Sequence, residues 1–592
     1  MLEESTPATK EERTPDASHF RVFYHSTREF LLDLSSSERR FWVLVLATGV
    51  ASGLAADVLV RVLGTVQRWS WPRGQTLLES VRAAPPSRRI EVLALAGVLV
   101  SIVSLLRRSK LASHGTAGVI EAIWMRAGRY SLGRALTSGT LAIVVIAMGA
   151  PLGREGALIA FGAGFASGLA RLARATADQT RILVACGGAS GIAAAYNVPL
   201  GGALFGLEVF LGSLAFELLG PIVISCATAT AVSRVFVENH PAYRIPNYEL
   251  TTPFELLRIA VVALVLGVAA AAFTRVLEEL AALGERVPMK LARLLPVAAL
   301  TATGAMACAY PEILGNGYDT VNAALLDEVP LGLLFALPLL KLLATGACSA
   351  AGVPGGLFTP SLFFGALIGG LAGVVIHALW PTAAPAGAYA LIGMTGILAG
   401  TTHAAASSVL LLFEMTRDYG VILPLMLTSV ISAAVARRLE RDSIYTGVLR
   451  RRDVQLPEPP RPRWLRETSV GALLRSEFAT APLATRFEEV LLRLLSLPPG
   501  EDLYVTAGDG SYRGVIVLDA LKGHLPDRAE LGFTVAEDLM DEGLVPLQPS
   551  ASLSEAAAHF GATYLDKLPV VDSEGRLVGT VSKQDVFRRG QA

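Results

Sequence analysis

Charge is scarce in this sequence. Of its 592 residues only 17% are charged and 52% are apolar, whereas an ordinary soluble protein carries roughly 25% charged residues. With a mean hydropathy of +0.50, a chain this long and this poor in charge is not one soluble domain, and much of it must avoid water. Its 51 basic and 51 acidic residues cancel, which removes the basic surplus that a nucleic-acid partner requires. Cysteine is nearly missing as well. The four copies, Cys186, Cys226, Cys308 and Cys348, are scattered through apolar sequence with no CxxC pair. Neither a zinc site nor a disulfide framework is indicated, and they read as small buried hydrophobes. No cleavable signal peptide opens the chain: residues 1–40 are polar and charged and read as a cytoplasmic tail.

What the sequence does have is apolar stretches in succession, from Phe41 to about Ala436. Some, such as 255–283, reach the roughly 20 residues that a bilayer demands. Others are short or broken by glycine, as at 135–165, 182–220 and 352–356 (Gly-Val-Pro-Gly-Gly). Within a bilayer, irregular backbone is tolerated only where protein buries it or a polar cavity receives it, so broken helices point to a transport site. Glycine used only for close helix packing is the plainer explanation of any single break. Arginines 437, 438, 441 and 450–452 follow the last apolar stretch and place that end in the cytoplasm. The segment 455–463, rich in proline, then reads as a stiff linker. Beyond it lie two similar units, each a helical run followed by two strands joined at a turn, which suggests a tandem α/β module. The expected division is a tail at 1–36, a membrane domain at 37–447, a linker at 448–466, and soluble units at 467–526 and 533–590.

Three segments place glycine and free amides inside apolar sequence: Ser113-His-Gly-Thr-Ala-Gly118, Gly153-Arg-Glu-Gly-Ala157 and Gly355-Gly-Leu-Phe-Thr-Pro360. Each reads as a loop entering a helix N-terminus, where unpaired amides and the positive dipole end favour an anion. Several such termini aimed at one point replace the hydration shell of a halide through contacts weak enough to release it. Glu155 sits in the second segment. An ionisable group within a span is a functional candidate, and its carboxylate can occupy an anion site when charged and leave when protonated. A salt bridge to Arg154 is the competing explanation.

These segments, in this order, resemble the anion-binding motifs of the CLC family of chloride channels and chloride/proton exchangers. Ala194-Ala-Tyr-Asn-Val-Pro-Leu200, Gly315-Asn-Gly-Tyr318, Glu414-Met-Thr-Arg-Asp-Tyr419 and Tyr445 extend the match over about residues 40–450, and the tandem tail resembles CBS domains. The resemblance implies a multi-span α-helical CLC fold of two inverted-topology repeats with broken helices, plus a cytoplasmic CBS pair. It implies a homodimer in the bilayer, chloride as substrate, no required cofactor, and a multi-pass protein with both termini cytoplasmic. Glu155 falls on the gating glutamate. Gly115, Arg154, Gly156, Leu357, Phe358 and Tyr445 fall around the anion. His114 replaces the family's central-site serine; it can donate to an anion or titrate near neutral pH, or it can simply reshape the inner mouth. Val209 stands where family exchangers carry an inner proton-accepting glutamate. Valine cannot relay a proton, which favours a channel or a weakly coupled transporter unless Glu208 or water substitutes; the alternative is a chloride/proton antiporter with a non-standard inner route. In the second soluble unit, Thr580, Ser582 and Asp585 resemble an adenine-nucleotide contact segment, although Ser582 and Asp585 also suit a plain helix cap. The first unit has Val517 in place of the serine.

Two other classes are weaker. Gly188-Ala-Ser-Gly191 resembles the nucleophile motif of rhomboid proteases, with His240 downstream, but His240 sits in a polar loop and Ser190 in a packing helix. A CBS-bearing cation transporter needs clustered oxygen ligands, whereas Glu155, Glu208 and Glu414 lie far apart in sequence.

Overall fold

The computed structural model describes residues 36–107, 115–212, 216–236, 243, 245–246, 254–454, 468–498, 501–521, 533–563 and 565–588. The N-terminal tail up to Ser35, His114, His240 and the proline-rich linker at 455–463 lie outside the described residues. The chain divides into two compact units, residues 1–457 and 458–592.

The first unit is helical. Its principal helices are α1 (Ser36–Ser70), α2 (Pro86–Arg107), α3 (Gly115–Met125), α4 (Leu132–Ala147), α5 (Glu155–Leu172), α6 (Ala177–Tyr196), α7 (Pro199–Phe205) and α8 (Phe216–Phe236). They continue with α9 (Phe254–Arg286), α10 (Leu295–Ala309), α11 (Tyr318–Leu325), α12 (Leu331–Ala350), α13 (Phe358–Leu379), α14 (Ala386–Thr402), α15 (Ala405–Thr416) and α16 (Ile422–Leu439). Seven helices among the described residues are long and apolar enough to cross a membrane. α9, with 33 residues, is roughly 50 Å long at 1.5 Å per residue and exceeds the apolar thickness of a bilayer.

The breaks fall where glycine interrupts the apolar runs. α4 stops at Ala147 and α5 starts at Glu155; α12 stops at Ala350 and α13 starts at Phe358. α6 opens on a reciprocal cap between Thr176 and Gln179, and ends on Asn197 in the left-handed conformation at φ 60°. Pro199 then sits in the first turn of α7, where its missing N–H is harmless. Glycine also serves packing. A side chain at Gly365 or Gly373 of α13 would strike the backbone of α14 at Gly393 or Ala386, so these helices meet backbone to backbone. Both explanations of the glycines therefore hold, at different positions.

The second unit is α/β. Strand β1 (Ala479–Pro482) runs parallel to β2 (Leu503–Thr506), which pairs antiparallel with β3 (Tyr512–Ile516). Strand β4 (Lys567–Val571) pairs antiparallel with β5 (Leu577–Ser582). Helix α17 (Phe487–Ser496) packs on the first sheet, while α18 (Leu553–Ala562) and α19 (Lys583–Arg588) accompany the second. Ser552 caps α18 by accepting from the Glu555 N–H. Tyr504, Val515 and Leu565 form a buried cluster joining the two halves.

Candidate functional site

Two of the loops meet through their backbones. Gly153 and Gly356 exchange both hydrogen bonds, N–H to carbonyl at 2.9 and 2.7 Å, as an isolated antiparallel bridge. A Cβ at Gly156 would lie 3.2 Å from the Gly356 Cα, and one at Gly115 would overlap the Gly156 carbonyl. The N-termini of α3, α5 and α13 therefore converge, and the glycines are what permits the approach. Lone sequence breaks do not reveal this; a shared point does.

Glu155 opens α5 and is 1% exposed. Its Oε1 accepts from the backbone N–H of Phe358 at 2.9 Å and of Thr359 at 3.2 Å. Its Oε2 accepts from the Thr359 hydroxyl at 2.9 Å and the Tyr196 hydroxyl at 3.2 Å. The carboxylate thus lies on the first turn of α13, where partial positive charge is concentrated. Any side chain at Gly153 or Gly356 would overlap it. Arg154 does not supply the countercharge. Its guanidinium donates to the Ala195 carbonyl at 3.2 Å and lies 5.9 Å from both the Tyr196 and Tyr318 rings. Its Nε is buried without a hydrogen-bond partner.

Aromatic rings wall the cradle. Phe358 packs on Tyr196 at 5.4 Å, and Phe205 contacts both Phe358 at 6.1 Å and Tyr445 at 6.2 Å. Tyr445 is 5% exposed, with its ring edge-on to Phe205. Leu357, the residue before α13, is 8% exposed. Gly115, Arg154, Gly156, Leu357, Phe358 and Tyr445 are thus brought together with Glu155. His114 lies outside the described residues.

Glu208 and Val209 sit in a π-helical turn, Gly206–Phe210, that extends α7. The Glu208 carboxylate accepts from the N–H groups of Ala406 and Ser407 at 3.3 and 2.8 Å and from the Ser407 hydroxyl at 2.6 Å. It caps α15. The Val209 side chain is partly buried against the core. In the second unit the Thr580 hydroxyl is buried without a partner, and the Ser582 hydroxyl accepts from the Gln584 N–H at 3.2 Å. Asp585, which resembles a nucleotide-contact residue, is held by Arg475 through two bonds of 2.8 and 3.0 Å. Arg475 is distant in sequence, so that pair was not foreseeable. Ser190 is buried against the Ser225 hydroxyl at 2.8 Å. Among the described residues no cluster of His, Cys, Asp and Glu could hold a metal ion.

Sequence reasoning also missed Tyr196 and Thr359 as contacts of Glu155. Both stood in recognised motifs, and the available signal was a hydroxyl in each of two largely apolar segments.

The model of the voltage gated chloride channel family matches residues 92–437, more than half the chain and nearly all of this cradle. The chain belongs to the CLC family. A CBS domain model matches residues 535–591. A ClcB-like chloride channel protein, as it is described, from Ralstonia nicotianae is 34% identical over 418 residues, covering 70% of this chain and 97% of that protein. The voltage-gated ClC-type chloride channel ClcB of Escherichia coli is 33% identical, covering 62% of this chain and 89% of the relative. A slow cyanobacterial chloride/proton antiporter superposes with a TM-score of 0.63 at 22% identity, covering 70% of this chain and 98% of the other. A eukaryotic CLC transporter superposes at 0.59 and 17% identity over 92% of this chain and 98% of its own. The chain is therefore an integral membrane protein of CLC fold with a C-terminal CBS region, and its relatives are channels and transporters rather than enzymes.

Proposed function

We propose that this CLC protein carries chloride as a glutamate-gated channel or weakly proton-coupled transporter, with Glu155 as the gate. The observation that supports it most directly is the seat of the Glu155 carboxylate on the Phe358 and Thr359 amides. Donors that hold a buried anionic group can hold a free halide in its place. Gly115, Arg154, Gly156, Leu357 and Tyr445 border that seat, and His114 adjoins it in sequence. The relatives described as chloride channels favour chloride as the halide.

Weak coupling is favoured by two features. Val209 has nothing to titrate, and Glu208, the remaining relay candidate, already has its carboxylate committed to the start of α15. The second reading is a chloride/proton antiporter with another inner route, which the antiporter among the structural neighbours favours. The arginines after α16 support cytoplasmic placement of the C-terminal region, and the protein is proposed to work as a homodimer. Regulation by an adenine nucleotide at Thr580, Ser582 and Asp585 would require Arg475 to release Asp585.

The test is Glu155→Gln in liposomes. Chloride flux should persist while its dependence on pH or voltage disappears. A folded mutant that passes no chloride would remove Glu155 from the gate.

A further inference from the structure

Four donors fill both oxygens of the Glu155 carboxylate, and only two of them are backbone amides. The other two are hydroxyls fixed by packing. Tyr196 is the last helical residue of α6, 2% exposed, with its ring against Phe358. Thr359 is the second residue of α13 and fully buried. All three groups are buried, so each of these bonds holds the charged carboxylate more strongly than it would at a surface.

The two hydroxyl oxygens are also 2.8 Å apart. Three short contacts link Tyr196, Thr359 and Glu155, but the hydroxyls supply only two protons to make them. When the carboxylate leaves, one hydroxyl can donate to the other, and neither is stranded in a buried site. The arrangement holds an occupant firmly and still survives its departure.

We propose that the Tyr196 and Thr359 hydroxyls are positioning residues that clamp the Glu155 carboxylate on the α13 amides and so set how readily chloride displaces it. This deepens the reading of Glu155 as the occupant of the anion site and rests on it. Amides alone would hold carboxylate and halide on similar terms; the paired hydroxyls tilt that competition toward the carboxylate.

The experiment is a double-mutant cycle read by calorimetric titration of chloride into the purified full-length protein, with a non-halide anion as supporting salt. Glu155→Ala should tighten chloride binding by removing the competitor. Tyr196→Phe and Thr359→Val, each in the Glu155 background, should tighten it roughly 3- to 10-fold, the latter figure being ~1.4 kcal/mol. In the Glu155→Ala background the same substitutions should not tighten it. Thr359→Ser, which keeps the hydroxyl, should match the unmodified protein. Equal changes in both backgrounds, or no change beside a strong Glu155→Ala effect, would overturn the clamp and leave the gate standing. If Glu155→Ala itself leaves affinity unchanged, Glu155 does not compete with chloride, and the gate reading falls together with the clamp.

Discussion

Lys341 is a cation in the middle of α12 that is 1% exposed. Its ammonium donates to the Ile313 and Gly315 carbonyls at 2.7 and 2.6 Å and lies 4.9 Å from the Phe363 ring centre. Gly315 in turn donates to the Gly149 carbonyl, and Thr345 of α12 donates to Pro151. The lysine therefore braces the loop that meets the approach to Glu155. Lys341→Met keeps much of the volume but leaves two buried carbonyls unpaired. That should destabilise the protein by about 1–3 kcal/mol, read as a lower melting temperature in detergent. Asp502 illustrates the opposite sign of charge. Burial, then the neighbouring Asp566 and Glu501, push its carboxyl up from 3.8 to about 6, with Lys567 opposing them. Its folded-state value is raised, so the folded form holds the proton more tightly. Local stability should be greatest below the ordinary value and fall as pH rises from about 4 to 6, then level off. Amide exchange in β2, corrected for intrinsic rate, should show that fall, and Asp502→Asn should flatten it.

At the scale of elements, α7 and α15 exchange carboxylates. Glu208, just beyond α7, caps the start of α15, and Glu414, near the end of α15, accepts from the Leu200 and Gly201 N–H groups at the start of α7 at 3.2 and 2.7 Å. Each helix N-terminus receives a negative charge from its neighbour, which satisfies orphan amides and the dipole together. Glu208→Ala or Glu414→Ala should each cost about 1–2 kcal/mol, and the double mutant should lose less than the sum, because both act on one helix pair. Thermal melting of the three variants measures this. The helices and their breaks were legible from apolar length and glycine placement. The reciprocal caps were not, since residues 208 and 414 are about two hundred positions apart and either glutamate alone reads as a generic intramembrane acid.

For the whole molecule, the question is whether chloride movement drags protons with it. On the proposed reading the inner proton position is Val209, and Glu208 is bound into the fold, so a chloride gradient across liposomes should drive little or no uphill proton movement. Simultaneous recording of both fluxes decides this: a fixed proton-to-chloride ratio would favour the antiporter alternative and require another relay. The C-terminal region, whose second half carries the CBS match, forms a unit of its own, with separate apolar cores around Leu568 and Leu503.

Composition and spacing alone determined that this chain lives in a bilayer, that three broken helices carry glycine-flanked N-termini, and that Glu155 stands at one of them. Those properties are local, because hydropathy, chain breaks and motif order are written along a few dozen residues at a time. Only the tertiary structure decided what Glu155 touches. Tyr196 and Thr359 reach it from α6 and α13, and Arg475 reaches Asp585 across 110 positions. A hydrogen bond depends on where two side chains end in space, and nothing in the residues between them encodes that meeting.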